Sequence, residues 1–341
     1  MNIKIHTIVF LYRLLCNRVD KTIKRETITI MQTDGSELIF DHYHPHQTPL
    51  ATIVFMHGMS RPANREPVLI KISRILASMG YQVLAPLYED IKNFNLSTKS
   101  IKDIHQSLVT FINHHYCTNN KLSIFTASFS GCHALRAIAN SDIRDHINCL
   151  LLLGSPYRYY STLLFTFGEN KKIDWFSRLL CLRSMLLHQN TIDPELDAAL
   201  NAVIDYLHDH NSLKRIKKFA EHLSDENARL FCNYIDLIQQ PHRFLRTYQH
   251  IVDEMDAALE QSGDISNVKA AVLIIHGIYD NTIPCSESEK LFEKLSANHT
   301  DVMLVKTTML SHVTRKFSLS LLKQGNLLFN SFQYFFKNVL R

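Results

Sequence analysis

The sequence is poor in glycine and proline, with only nine of each in 341 residues. Such low contents exclude collagen-like and low-complexity chains. The seven cysteines are scattered and contain no C-x-x-C pair, which argues against a disulfide framework and a zinc site. We therefore predict a reducing, cytoplasmic compartment, with no metal and no cofactor.

The sequence also has no large excess of charge of one sign and no long apolar run. Its 37 basic residues exceed its 32 acidic residues only slightly, and this excess is too small to indicate nucleic-acid binding. The longest apolar stretch near the start, 5–16, is interrupted by Arg13 and is shorter than the roughly 20 residues of a membrane-spanning helix. No small-residue cleavage site follows it, which argues against a signal peptide. Residues 1–24 are predicted to form a helical segment, either packed on the body or lying on a membrane surface through its basic residues.

What the sequence does contain is a regular alternation of short apolar runs and amphipathic stretches. A turn at 33–36, containing Asp34-Gly35, joins two predicted strands into a hairpin. Further strands are predicted at 52–56, 82–85, 122–126, 149–153, 271–275 and 302–305. Helical periodicity covers 67–79 and 101–114. This order predicts an α/β fold with a mostly parallel, doubly wound sheet of about eight strands.

One long interval interrupts the alternation. Residues 157–268 contain no convincing strand but several amphipathic helical stripes, the first of which opens with Asp193-Pro194. We interpret this interval as a helical cap inserted into a body formed by 25–156 and 269–341.

The segment around Ser128 carries the most chemical information. A buried strand at 122–126 runs directly into a helix through small residues, which is typical of the strained turn that exposes a nucleophilic serine. The usual pattern is G-x-S-x-G, whereas Thr126 and Ser130 occupy the flanking positions here. Gly131 and Ala134 supply small residues where the helix passes close to the sheet. Ser130 is a competing nucleophile, although choosing it spoils the fit of Gly131.

A serine nucleophile needs a base and a carboxylate that orients this base. Asp280 follows the strand at 271–275 in the loop HGIYDNTIP, and His312 follows the last predicted strand. The order serine, acid, histidine and the position of each group after a strand indicate a catalytic triad of Ser128, Asp280 and His312.

These segments resemble the α/β-hydrolase family over nearly the whole chain except the first ~20 residues and the cap. The HG turn at His57-Gly58 and the acid loop HGIYDNTIP carry the resemblance. It implies that the backbone N–H groups of Met59 and Phe129 form the oxyanion hole. The serine turn Thr-Ala-Ser-Phe-Ser at 126–130 is also similar to that of bacterial acyl-transferring thioesterases of the luminescence system, whereas the large cap is not.

Other polar groups have simpler interpretations. His57 and His276 belong to HG turns and are expected to be structural. His42, His44 and His46 alternate as metal ligands on one strand face do, but solvated side chains on an edge hairpin are the simpler alternative. A basic cluster at 214–218 fits phosphate groups or a solvated helix face.

The function favoured by these residues is hydrolysis of carboxylic esters through an acyl-enzyme on Ser128, in the manner of an esterase, lipase or lysophospholipase. The expected partner is a small acyl ester substrate. A thioesterase or acyltransferase on the same triad is the first alternative. A catalytically inactive protein that keeps the fold for interactions is the second. Peptidase activity is compatible with the same residues, but no sequence feature indicates a site for a peptide amino terminus.

Overall fold

Eight strands form one twisted sheet at the centre of the molecule. The computed structural model describes residues 2–168, 174–210, 212–311, 314–315 and 320–341. The strands are β1 Arg25–Met31, β2 Glu37–Tyr43, β3 Ala51–Met56, β4 Tyr81–Pro86, β5 Leu122–Ala127, β6 Ile147–Leu153, β7 Ala271–Gly277 and β8 Val302–Thr307. Two further strands, β9 Leu310–Ser311 and β10 Thr314–Arg315, form a separate small ribbon.

The strand order in the sheet is β1-β2-β4-β3-β5-β6-β7-β8. The hairpin β1–β2 is antiparallel and joins β4 in antiparallel pairing, while all pairs from β4 to β8 are parallel. Gly35 in the hairpin turn has a φ of 84°, the left-handed conformation that glycine adopts readily. The predicted mostly parallel sheet of about eight strands is confirmed.

Helices cover both faces of the sheet. They are α1 Ile3–Leu15, α2 Pro67–Ser78, α3 Glu89–Lys92, α4 Lys99–Asn113, α5 Phe129–Ala137, α6 Tyr159–Thr166, α7 Trp175–His188, α8 Pro194–His210, α9 Asp225–Ile238, α10 Pro241–Gln261, α11 Cys285–Ala297 and α12 Ser320–Val339. One apolar core lies between the sheet and the layer of α2 and α12, and a second lies between the sheet and α4, α5 and α11. The uninterrupted apolar strands β3, β5, β6 and β7 follow from this two-sided burial.

Five of these helices, α6 to α10, occupy the interval between β6 and β7. The described residues of this interval contain no strand, and a 3₁₀ segment at Leu213–His222 links α8 to α9. Their apolar stripes are buried against one another and against the second core. This helical block matches the interval interpreted as a cap, while the domain limits themselves remain a prediction.

The amino-terminal helix α1 packs on the outside of the layer formed by α2 and α12. Phe10 is buried, and its ring lies 4.8 Å from that of Phe332 and 5.2 Å from that of Phe336. This contact is the one expected for a helix that packs on the body. Across the described part of the chain, none of the helices combines the length and apolar character needed to cross a bilayer.

Candidate active site

Ser128 occupies the tight turn between β5 and α5. Its backbone has φ 57° and ψ −139°, a region that residues with a Cβ avoid. Its amide donates a hydrogen bond of 2.8 Å to the Leu153 carbonyl, which ties the turn to the end of the neighbouring strand β6. The strain, about 1–3 kcal/mol for such a conformation, has to be held by the surrounding strands. Strain at a strand-to-helix turn is typical of a site that presents a nucleophile.

Gly131 explains why α5 approaches the sheet so closely. A Cβ at position 131 would overlap Ser155 Oγ and would lie 2.8 Å from Ser155 Cβ and 2.9 Å from Thr126 Oγ1. A small residue is therefore required at position 131. A threonine is accommodated at position 126, where glycine is usual, because its hydroxyl donates a hydrogen bond of 2.9 Å to the Leu151 carbonyl. The departure of this turn from the common glycine pattern is thus compatible with the local packing.

Ser130, the competing nucleophile, has a different environment. It is fully buried, and its hydroxyl donates a hydrogen bond to the carbonyl of His57. This contact connects the start of α5 to the loop after β3. Ser130 is therefore placed as a structural residue.

The loop after β3 lies against the Ser128 turn. A Cβ built on Gly58 would stand 3.5 Å from Ser128 Cβ and 3.4 Å from the Ala127 carbonyl oxygen, so the two segments lie close together there. The next residue is Met59, and Phe129 is the first residue of α5. Neither the Met59 nor the Phe129 amide has a hydrogen-bond acceptor among the described residues. Both of the amides that the resemblance implied as oxyanion donors thus belong to segments adjoining Ser128.

His57 is held as a neutral ring within this loop. Its Nε2 accepts a hydrogen bond of 3.1 Å from the Tyr88 amide, so the proton is on Nδ1, which donates to the Gly58 carbonyl at 2.8 Å. Burial lowers the pKa of His57 to about 4. Both ring nitrogens are engaged, so the ring shapes the loop, in agreement with its interpretation as structural.

Asp280 lies in the loop after β7 and is almost completely buried. Its Oδ1 accepts hydrogen bonds from the amides of Thr282 at 2.8 Å and Ile283 at 2.9 Å, which fix the plane of the carboxylate. Its Oδ2 lies 3.4 Å from Nε2 of His276. That ring is held by Ser288 Oγ at 2.6 Å and by the Ile283 carbonyl at 3.0 Å, which accepts from Nε2. His276 therefore supports the acid loop from within the core, as expected for a structural residue.

His312, the base expected from the sequence, lies outside the described residues. The described chain reaches Ser311 in β9, and the carbonyl of Leu310 packs directly against Gly277, where a Cβ would overlap it. Gly277 ends β7 and precedes Asp280 by three positions. The structure thus brings the chain next to the acid loop just before position 312.

The predicted site residues other than His312 lie at the carboxyl ends of the parallel strands, at one edge of the sheet. Met59 follows β3, Ser128 follows β5 and Asp280 follows β7, with β6 alone between β5 and β7. Parallel strands all end on the same side, so these residues share one edge. The described structure thus places Met59, Phe129, Ser128 and Asp280 along one edge of the sheet.

A cleft between the body and the helical block reaches Phe129, the residue after Ser128. Its outer part, about 200 Å³, lies among Asp90, Thr98, His188 and Ala258. Its inner part, about 20 Å³, is lined mostly by apolar side chains and reaches Phe129. Both parts share the four residues Leu96, Tyr159, Ser184 and Met255. One part of the cleft is therefore lined by polar and apolar groups, whereas the other is mostly apolar and borders Phe129, the residue after Ser128.

Tyr159 is a cleft residue that the sequence interpretation missed. Its hydroxyl forms a hydrogen bond of 2.6 Å with Nε2 of His133, and its ring lies 6.0 Å from that of Phe129. His133 is fully buried on α5, and burial, with the nearby charge of Arg136, lowers its pKa to about 3. The only sequence signal for Tyr159 is its position shortly after β6, at the start of the interval interpreted as a cap.

Two buried carboxylates hold the chain where it leaves the sheet for the helical block. Glu287 accepts hydrogen bonds from the amides of Tyr157 at 3.2 Å and Arg158 at 2.9 Å. Asp256 accepts from the amides of Tyr159 at 2.7 Å and Tyr160 at 3.2 Å, which satisfies the start of α6. Burial raises the pKa of Asp256. Four consecutive amides are thus fixed by side chains from α10 and α11, which orients one wall of the cleft.

The alternating histidines of the hairpin differ from their expected solvated state in one respect. His42 is buried, burial lowers its pKa to about 4, and its ring lies 3.7 Å from that of His44. His46 instead faces Asp20 at 3.2 Å. No group of three or more potential metal ligands occurs in the described ranges.

Comparison with known proteins gives structural neighbours only. No family model matches the sequence, and no curated protein matches it. An esterase of Pyrococcus furiosus superposes over 93% of this chain and 92% of its own, with a TM-score of 0.51 and 13% identity. Dipeptidyl peptidase 4 of Porphyromonas gingivalis superposes over 91% of this chain and 36% of its own, with a TM-score of 0.50 and 12% identity. Acylaminoacyl peptidase of Pyrococcus horikoshii covers 96% of this chain and 41% of its own, with a TM-score of 0.49 and 15% identity.

The first of these neighbours matches along nearly the whole length of both chains, and the mostly parallel, eight-stranded sheet with helices on both faces agrees with its fold. The chain has the α/β-hydrolase fold. In an α/β-hydrolase fold the turn after β5 presents its serine at the carboxyl edge of the sheet, and amides from the next residue and from the loop after β3 face it. In this chain Ser128 lies in the turn after β5, Phe129 is the next residue, and Met59 lies in the loop after β3.

Proposed function

We propose that this protein is a serine hydrolase that cleaves carboxylic esters through an acyl-enzyme on Ser128. Asp280 orients the base, His312 acts as this base, and the amides of Met59 and Phe129 stabilise the oxyanion. The observation that carries the proposal is the backbone of Ser128, which adopts a strained conformation beside two amides that lack an acceptor in the described structure. Such an arrangement has no stabilising value for the fold but suits acyl transfer.

The proposed reaction has two halves. The Ser128 hydroxyl attacks the acyl carbonyl while the imidazole takes its proton, and the same imidazole returns the proton to the leaving alcohol. Water then attacks the acyl-serine, with the imidazole again as base, and releases the carboxylic acid. The carboxylate of Asp280, held by two amides, is suited to keeping the imidazole in one tautomer.

The shape of the cleft supports a short acyl group. Its inner part of about 20 Å³ adjoining Phe129 has room for little more than one water molecule. A long acyl chain of the lipase or lysophospholipase type would fit into this part of the cleft only if the helical block moved away from α5. We therefore infer that acetyl and butyryl esters are better substrates than long-chain esters.

A fluorophosphonate probe and nitrophenyl esters of graded acyl length test the proposal. The wild type is expected to be labelled and to hydrolyse the short esters, whereas Ser128→Ala is expected to lose both activities. Ser130→Ala serves as the matched control and is expected to keep the label. Labelling that survives in Ser128→Ala and disappears in Ser130→Ala would overturn the assignment of the nucleophile.

The same experiment separates the alternatives. Faster release from a thioester than from the matched oxygen ester, or acyl transfer to an added alcohol or thiol in preference to water, identifies a thioesterase or an acyltransferase. A folded wild type that takes up no probe identifies an inactive member of the fold. All seven cysteines are unpaired, which supports a cytoplasmic location for this enzyme as part of the proposal.

A further inference from the structure

The outer face of α1 carries an apolar stripe whose side chains are each more than half exposed. Ile5, Ile8 and Tyr12 are spaced i, i+3 and i+7, so they share one side of the helix. They are 60%, 56% and 54% exposed. Thr7 and Phe10, on the opposite side, are buried against the body. The stripe is therefore exposed even though the opposite side of α1 is packed against the body.

The helix is well formed at both ends, so the stripe has a fixed geometry. The side chain of Asn2 accepts hydrogen bonds from the amides of Lys4 at 3.0 Å and Ile5 at 3.4 Å. At the other end, Asn17 has a φ of 54° and the amide of Arg18 donates to the Arg13 carbonyl at 2.9 Å. A preformed amphipathic helix loses little conformational entropy when it binds a surface.

Positive charge accompanies the stripe. Residues 2–24 contain five basic residues and a single acidic one, Asp20. The Asp20 carboxylate is already engaged by the Thr22 hydroxyl at 2.6 Å and by His46 at 3.2 Å. Lys4 lies one turn before Ile8 on the same side of α1 and is exposed, as are Arg18 and Lys21 after the helix. Apolar side chains flanked by lysine and arginine are the pattern of a helix that lies in the headgroup region of an anionic bilayer.

A shallow groove of about 270 Å³ extends this surface between α1 and the end of α2. Ile5, Val9 and Met79 form its apolar walls, and the guanidinium of Arg13 donates to Ser78 Oγ within it. A cation beside an apolar groove suits a lipid phosphate whose acyl chains lie next to Ile5 and Val9.

We propose that the outer face of α1, consisting of Ile5, Ile8 and Tyr12 with the cations Lys4, Arg18 and Lys21, docks on the surface of an anionic lipid bilayer. This inference is independent of the proposed ester hydrolysis. The ring of His6 on α1 lies 5.3 Å from Tyr81, the first residue of β4, whereas Ser128 follows the last residue of β5. Because β4 and β5 run in the same direction, α1 contacts the sheet near the edge opposite to the one that carries Ser128.

Co-sedimentation of the full chain with vesicles tests the proposal. Vesicles of phosphatidylcholine containing phosphatidylserine are expected to bind the wild type about tenfold more strongly than phosphatidylcholine alone. The double variant Ile5→Ser/Ile8→Ser and the triple variant Lys4→Gln/Arg18→Gln/Lys21→Gln are each expected to weaken this binding about tenfold or more.

The matched control is Met31→Ser/Val68→Ser, which removes equally exposed apolar side chains elsewhere on the surface and is expected to bind as the wild type does. Equal binding of the wild type and the Ile5→Ser/Ile8→Ser variant overturns the proposal, and so does failure of the folded wild type to bind anionic vesicles. A wild type that sediments as a dimer without vesicle binding, and becomes a monomer in Ile5→Ser/Ile8→Ser, assigns the face to a second copy of the chain and also overturns it.

Discussion

Ser128 combines a left-handed backbone conformation with a side chain that carries a Cβ. The strain arises because β5, α5 and the Leu153 carbonyl together fix the turn. Glycine is the one residue that adopts such a conformation without this penalty. A serine retained there is better explained by chemistry than by stability.

We predict that Ser128→Gly is more stable than Ser128→Ala by about 1 kcal/mol, because glycine relieves the strain although it also makes the unfolded chain more flexible. Urea unfolding of the two variants measures the difference. At Ser123, within β5, the same pair of substitutions is expected to show the opposite order, because glycine weakens a regular strand. Equal stabilities of Ser128→Gly and Ser128→Ala would show that the backbone at position 128 is not strained.

Contacts between whole elements decide how closely α5 approaches the end of β6. Gly131 provides this approach, because the Ser155 side chain fills the space that a Cβ would occupy. Overpacking of a buried contact of this kind typically costs about 1–3 kcal/mol.

Gly131→Ala is expected to lower the free energy of unfolding by about 1–3 kcal/mol. Adding Ser155→Gly removes the obstructing side chain, so the double variant is expected to recover part of the loss. A double-mutant cycle from urea unfolding gives the coupling between the two positions. Additive effects of the two substitutions would show that Ser155 is not the obstruction.

A further prediction concerns the cleft between the body and the helical block, which Met255 on α10 and Phe129 on α5 line. Met255 lines both the inner and the outer part of the cleft, so Met255→Ala enlarges the space beside Phe129. We expect the ratio of kcat/KM for octanoyl over butyryl nitrophenyl esters to rise about tenfold, because each buried methylene contributes about 0.8 kcal/mol. Leu259→Ala, also buried on α10 but outside the cleft, is the control for lost stability. An unchanged ratio in Met255→Ala, or an equal rise in Leu259→Ala, would exclude this cleft as the acyl site.

The stability of the whole molecule depends on histidines that are buried as neutral rings. Burial lowers the pKa of His57 to about 4 and that of His133 to about 3, from an ordinary value of 6.5. Below pH 6.5 the unfolded chain therefore binds more protons than the folded one. The stability is complete above this pH and is lost as the pH falls towards 4, by about 1.4 kcal/mol per pH unit for each ring.

His133→Gln is expected to reduce this pH dependence by about 1.4 kcal/mol per unit between pH 6 and 4, because glutamine keeps a partner for the Tyr159 hydroxyl without titrating. Chemical unfolding at a series of pH values measures the slope. His208→Gln, at an exposed ring, is expected to leave the slope unchanged. A wild-type slope in His133→Gln would show that this ring is not held neutral.

Much of the architecture is encoded locally and was predictable from the sequence. Uninterrupted apolar runs predict strands covered on both faces, and Asp34-Gly35 predicts a hairpin, because strand burial and turn conformation depend on neighbouring residues. The amphipathic stripes of the long interval after β6 predict helices for the same reason. The positions of Ser128 and Asp280 in the turns or loops that follow strands are given by the strand assignments alone.

The tertiary structure decided what depends on residues distant in the sequence. The strained φ of Ser128 results from strands that enclose its turn, and the small residue required at 131 results from Ser155. The cleft and the position of Tyr159 within it depend on how α6, α7 and α10 pack against α5, which no local pattern specifies. Local propensity and periodicity thus determined the elements, whereas side-chain packing across the chain determined the geometry of the candidate site, since packing energies arise only between elements already brought into contact.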